Sequence, residues 1–120
     1  MLIDLVLPYP PTVNTYWRRR GSTYFVSKAG ERYRRAVVLI VRQQRLKLSL
    51  SGRLAIKIIA EPPDKRRRDP DNILKAPLDA LTHAGLLMDD EQFDEINIVR
   101  GKPVSGGRLE IRITEVGVHE

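Results

Sequence analysis

The chain has 120 residues, 42% hydrophobic and 30% charged, with a formal net charge of +6 and a sequence pI near 10. That suits a single domain, residues 1–120, with a modest core, and it excludes wholesale disorder. With no cysteine and only two histidines, His83 and His119, it also excludes a disulfide scaffold, a cysteine nucleophile, a thiolate zinc site and a His-rich metal centre.

Leu2 to Leu7 alternates as a strand and stops at Pro8. The prolines Pro8, Pro10 and Pro11 mark the stretch through Trp17 as loop. Thr23 to Val26 is a short strand candidate. Ser27 is a plausible N-cap for a helix reaching about Leu46, with Tyr33, Ala36, Val37, Ile40 and Val41 on one arc. Val38, Leu39 and Leu46 fall outside that arc, among the arginines, either as ordinary exposed apolar residues or as a subunit contact. Leu54 to Ala60 is a strand closed by Pro62-Pro63. Asp69 (N-cap), Pro70 (N1) and Gly85 (C′) frame a second amphipathic helix, which Pro77 should kink or loosen. Asp94–Val99 and Leu109–Val116 are strands, and Ser105-Gly-Gly suggests that they form an antiparallel hairpin. The expectation is an α+β fold: a mixed sheet of four to five strands covered by two main helices, in the order β-(β)-α-β-α-β-β.

The charge is unevenly placed. Residues 1–60 hold 12 Lys+Arg against 2 Asp+Glu, and residues 61–120 hold 9 against 13. Arginine runs at Arg18-Arg19-Arg20, Arg32/Arg34/Arg35 and Lys65-Arg66-Arg67-Arg68 neighbour carboxylates at Asp69/Asp71 and Asp89-Asp90-Glu91. Any one run reads as a solvated loop. Together they suggest a polyanion cleft containing a cation site. The longest apolar run, Ala36 to Val41, is too short for a membrane span. The N-terminus has no basic n-region, so a soluble intracellular protein is expected.

The densest chemistry is Arg66-Arg-Arg-Asp-Pro-Asp-Asn-Ile-Leu-Lys75. At a helix start, Asp69 and Asp71 can converge on one cation, because an N-cap residue is not helical. Magnesium takes hard oxygen ligands, typically one or two carboxylates with water and substrate phosphate. A third carboxylate is available from Asp89-Asp90, and Lys75 is placed to hold a carboxylate or offset charge on a phosphate. The bland alternatives are a simple cap at Asp69, an Asp71–Lys75 surface pair and an acidic turn at Asp89-Asp90. His83 reads as a surface residue.

This stretch, with Leu78-Asp-Ala-Leu-Thr-His-Ala-Gly-Leu-Leu-Met-Asp-Asp90, Leu7-Pro-Tyr-Pro-Pro-Thr-Val-Asn14 and Gly106-Gly-Arg-Leu-Glu-Ile-Arg-Ile-Thr-Glu115, resembles the RusA-type Holliday junction resolvases. The resemblance covers nearly the whole chain. It implies a homodimeric, Mg2+-dependent endonuclease, cytoplasmic and of bacterial or phage origin, with no organic cofactor and no membrane. Such enzymes cut four-way junction DNA by paired symmetric nicks. The family's essential carboxylates fall on Asp69, Asp71 and Asp90, and its lysine on Lys75. Arg66, Arg67 and Arg68 are assigned to DNA contact, joined by Asn14, Arg18, Arg19 and Arg20. Glu91 departs from the small uncharged residue expected there and would add negative charge beside Asp90. The competing expectations are a non-catalytic binder of structured nucleic acid and a nuclease for other branched or single-stranded DNA.

Overall fold

Alternating apolar residues give this chain three strands that each bury one face. Ile3, Leu5 and Leu7 are buried in the first, Leu54, Ile56, Ile58 and Ala60 in the second, and Leu109, Ile111 and Ile113 in the third. The structure is a computed structural model that describes residues 2–117; Met1 and residues 118–120, His119 among them, lie outside the described residues. In chain order the elements are β1 (Leu2–Pro8), α1 (Val13–Tyr16), β2 (Trp17–Arg20), β3 (Thr23–Val26), α2 (Lys28–Gln43) and β4 (Leu54–Glu61). A 3-10 turn at Pro70–Ile73 leads into α3 (Lys75–His83). A second, at Asp90–Gln92, leads into β5 (Phe93–Arg100), and β6 (Arg108–Glu115) follows.

The main sheet has the order β1-β6-β4-β5, with β2 and β3 forming a separate two-stranded ribbon. β6 is antiparallel to both β1 and β4, whereas β4 and β5 are parallel. The α+β class with a mixed sheet and two main helices is as expected; the β5–β6 hairpin is not, because β4 lies between those strands. The physical reason is apolar content. β4 is the most continuously apolar strand and takes an interior position, while β5, mostly exposed, takes the edge. A parallel β4–β5 pair needs a crossover, which α3 supplies.

Helices α2 and α3 pack against each other and the sheet's inner face through Tyr33, Val37 and Val41 on one side and Ala76, Leu78, Ala80 and Leu81 on the other. Ser27 caps α2 by accepting the Gly30 N–H at 3.0 Å. α2 ends at Gln43, short of the expected Leu46, and Arg45 beyond it has a positive φ of 57°. Val38 and Leu46 pack on the core, so of the three residues outside the predicted arc only Leu39 stands well exposed.

The second predicted helix is divided at Leu74 into the 3-10 turn and α3. Pro77 falls in the first turn of α3, where its missing N–H is tolerated; the bond it cannot make would have reached back to Ile73, at the seam. Gly85, at φ 87°, ends the helix as expected. The loop after β1 is also corrected. Its prolines end at Pro11, which leaves room for one helical turn, α1, whose Tyr16 is fully buried.

Candidate active site

The seam between the 3-10 turn and α3 is where the sequence concentrates its charge. Asp69 occupies the cap position of the 3-10 turn with extended dihedrals, yet its side chain makes no capping bond. Asp71 follows within the turn. Both carboxylates are exposed, and among the described residues neither makes a hydrogen bond or ion pair. Lys75 is the first residue of α3. Its Nζ lies 3.5 Å from Oδ2 of Asp90, with Lys75 half-exposed and Asp90 less so. Lys75 therefore pairs with the distant acidic turn and not with Asp71.

The acidic turn divides its two aspartates by role. Asp89 accepts the Glu91 N–H at 3.0 Å and caps the second 3-10 turn. Buried Gln92 pins that turn: its Oε1 accepts from the Met88 and Asp89 N–H groups, and its Nε2 donates to the Leu50 and Gly52 carbonyls at 2.9 Å. Asp90 is left to face Lys75. Glu91 turns elsewhere. Its carboxylate pairs with Arg53 at 3.2 Å, and Arg53 also reaches Asp94 at 2.7 Å. The extra negative charge expected beside Asp90 is thus matched by a guanidinium.

The basic run is equally differentiated. Arg68 pairs with Asp64 at 2.7 Å, sits over the Tyr9 ring at 5.7 Å, and accepts from Arg100 Nη2 through its carbonyl at 2.8 Å. Asp64 also accepts the backbone N–H of Arg66 at 2.9 Å and pairs with its guanidinium. The Arg68 hydrogen bond, and then the Arg66 N–H, hold the Asp64 carboxyl far below the usual carboxylate range. Arg67 is exposed and makes no hydrogen bond or ion pair among the described residues. Arg67, Arg68, Asp69 and Asn72 line a hollow of about 410 Å3 with Thr12.

Thr12 begins the segment that carries Asn14 and the β2–β3 ribbon. Asn14 is exposed on α1, and Arg18, Arg19 and Arg20 are exposed on β2. The ribbon is anchored from below. The Tyr16 hydroxyl donates to Asp79, while Arg34 donates to Tyr16 at 3.1 Å and pairs with Asp79 at 2.8 Å, joining α1, α2 and α3. Burial first, then the Asp79 hydrogen bond, push the Tyr16 phenol well above its ordinary range. Arg34 is consequently a structural cation and leaves the polyanion-facing set proposed with Arg32 and Arg35.

Asp64, Gln92, Arg53 and the Tyr16–Asp79–Arg34 cluster were not singled out from the sequence. Two of these carried a legible signal. Asp64 precedes Arg66 and Arg68 by two and four residues, and Asp89-x-x-Gln92 has capping-box spacing.

The donor set has the chemistry magnesium prefers: hard oxygens, two of them uncommitted and solvent-facing. Asp69 and Asp71 can supply the protein's share, because this ion keeps several waters. Among the described residues no three carboxylate or histidine groups gather into one metal cluster, and Asp90 stands with Lys75. The arrangement can receive a phosphate: free carboxylates, an ammonium and an unpaired guanidinium lie on one short stretch of chain.

The family model described as endodeoxyribonuclease RusA matches residues 8–114. The chain is 60% identical over 113 residues to the crossover junction endodeoxyribonuclease of Enterobacteria phage HK97, covering 94% of each. It is 42% identical over 114 residues to the crossover junction endodeoxyribonuclease of Escherichia coli strain K12, covering 95% of each. For the enzyme of Enterobacteria phage 82 the values are 41% over 113 residues and 94% of each chain.

Proposed function

The chain belongs to the RusA family of endodeoxyribonucleases, and on that premise we propose that it resolves four-way DNA junctions by paired symmetric nicks in a magnesium-assisted hydrolysis. The observation that carries the site assignment is the meeting of Lys75, four residues beyond Asp71, with Asp90 at 3.5 Å, together with two carboxylates, Asp69 and Asp71, that make no hydrogen bond or ion pair among the described residues. A cap residue whose side chain does not cap, and an acidic residue with no partner, are poorly explained by stability alone.

In this reading Asp69 and Asp71 would hold the metal, joined by Asp90 once the ion is bound. The ion, when bound, supplies Lewis acidity toward water and phosphate oxygens. Lys75 orients Asp90, and its ammonium faces the developing charge on the phosphate. Arg66, Arg67 and Arg68 place the DNA backbone, with Arg67 the freest to move to a phosphate and Arg68 held by Asp64. Asn14, Arg18, Arg19 and Arg20 extend the contact across the ribbon. Two scissile phosphates related by a two-fold axis call for a two-fold enzyme, so the working unit is a homodimer, in a bacterial or phage-infected cytoplasm. Among the described residues no helix is long and apolar enough to cross a membrane.

The test is a four-way junction incubated with the protein and either Mg2+ or EDTA. Asp69→Asn and Asp71→Asn should bind the junction and fail to nick it; nicking by either variant would remove that residue from the site. A binding-only protein is the second reading, favoured by the lack of a gathered three-carboxylate cluster among the described residues. It predicts junction binding without nicks under any divalent ion.

A further inference from the structure

The β2–β3 ribbon carries more than arginines. Its register sets Arg19 opposite Tyr24 and Trp17 opposite Val26, so these four share one face. Trp17 and Val26 pack on the core, which leaves Arg19 and Tyr24 projecting beyond it. Tyr24 is 64% exposed, the largest exposure among the aromatic residues outside the core. The Arg19 guanidinium lies 5.7 Å from its ring centroid and is steadied by an Nε bond to the Gly21 carbonyl at 2.6 Å.

This face borders a hollow of about 500 Å3 lined by Val13, Asn14, Trp17, Arg18, Arg19 and Tyr24. No acidic residue lines it. The adjoining residue Thr12 lines the next hollow, which holds Arg67 and Asp69. A track therefore runs from the uncommitted carboxylate Asp69, past Thr12 and Asn14, to an exposed tyrosine framed by arginines. The Arg19 contact steadies the ring without burying it. Cationic grooves with exposed aromatic rings bind nucleic acid by stacking on bases that have left their helical stack. Duplex DNA offers few such bases, and the point of strand exchange in a junction offers several.

We propose that Tyr24, set by Arg19, stacks on an unstacked base at the branch point and so favours junctions over duplex. The inference rests on the junction-resolving reading but assigns a contact that reading does not contain. It makes Tyr24 a specificity residue, with no part in the hydrolysis.

The test compares wild type, Tyr24→Ala and Tyr24→Phe, binding a junction and a duplex of the same sequence in EDTA. A 2-aminopurine replaces one base at the branch point. Tyr24→Ala should lower the junction-to-duplex affinity ratio roughly 5- to 100-fold. Tyr24→Phe, which keeps the ring, should restore most of it. The 2-aminopurine should be dimmer bound to wild type or Tyr24→Phe than bound to Tyr24→Ala, because an aromatic neighbour quenches it. An unchanged ratio together with unchanged emission across the three proteins would overturn the proposal, as would a wild type with no preference for the junction. Nicking by wild type in Mg2+, scored separately, decides the enzymatic reading: junction preference dependent on Tyr24 without nicks would sink that reading and leave the stacking contact standing.

Discussion

Lys75 reaches across the molecule to Asp90, Nζ to Oδ2 at 3.5 Å, from the first residue of α3 to the turn that precedes β5. The pair ties the start of a helix to the acidic turn, and a partly exposed pair adds little to stability. Its value is then positional. Lys75→Met and Asp90→Asn are each expected to lower junction nicking roughly 100-fold or more while leaving melting temperature and junction affinity near wild type. Glu91→Ala, by contrast, should leave nicking intact, because Arg53 already holds that carboxylate away from the pair. Single-turnover nicking with matched binding curves checks all three.

Arg67 and Arg34 are both arginines in basic runs, yet the structure gives them opposite surroundings. Arg67 is exposed and has no partner among the described residues, and Arg34 is bound to Asp79 and Tyr16. Arg67→Ala should weaken junction binding and reduce the slope of log affinity against log salt by about 1. Arg34→Ala should leave the slope unchanged and cost about 1–3 kcal/mol of stability, since Asp79 loses a half-buried charged partner. Salt titrations of binding and urea unfolding separate the two.

Gly30 lies where α2 passes under the base of the ribbon. A Cβ there would stand 2.6 Å from Val26 Cγ1 and 2.8 Å from the Tyr16 carbonyl oxygen. Gly30→Ala should therefore destabilise the fold by about 1–3 kcal/mol, despite alanine's better helix propensity, because backbone must shift. Gly21→Ala meets nothing within 4 Å and serves as a control for packing, with strain only from its φ of 60°. Thermal melts distinguish them.

Tyr16 and Tyr33 give the fold an alkaline limit. Burial is the main cause that raises both phenols above their ordinary range; the Tyr33 hydroxyl donates to the Pro8 carbonyl at 2.8 Å. A raised folded-state pKa means that the stabilisation is fully present below the unfolded value, about 10, and is lost as pH rises from there toward the folded values. The urea midpoint should be level from about pH 7 to 9 and fall above about pH 10. Tyr33→Phe, which cannot ionise, should make that fall shallower.

The sequence shows local pattern and hides pairing. β1, β4 and β6 were visible because every second residue is apolar and buried. β2 was not, since Trp17-Arg-Arg-Arg20 has no apolar alternation, although Gly21-Ser22 between it and β3 is a two-residue hairpin loop with positive φ at its glycine. The placing of β4 between β5 and β6 depends on which strand takes hydrogen-bonded neighbours at both edges, a comparison between distant segments. The site shows the same division. Asp69, Asp71, Lys75 and Asp90 stand out by type and spacing, but spacing leaves an Asp71–Lys75 surface pair open as the bland alternative. The 3-10 turn defeats that, because its residues do not follow the i,i+4 alignment of an α-helix. Only the folded chain leaves Asp71 free and gives Lys75 to Asp90.

The most direct test of the account is to map the products from an end-labelled four-way junction incubated with the wild-type protein in Mg2+ and in EDTA. Paired nicks at symmetry-related positions, present only with Mg2+ and absent with Asp71→Asn, are the predicted result. Stable junction binding with no nicks in Mg2+, or nicks undiminished in EDTA, would contradict it.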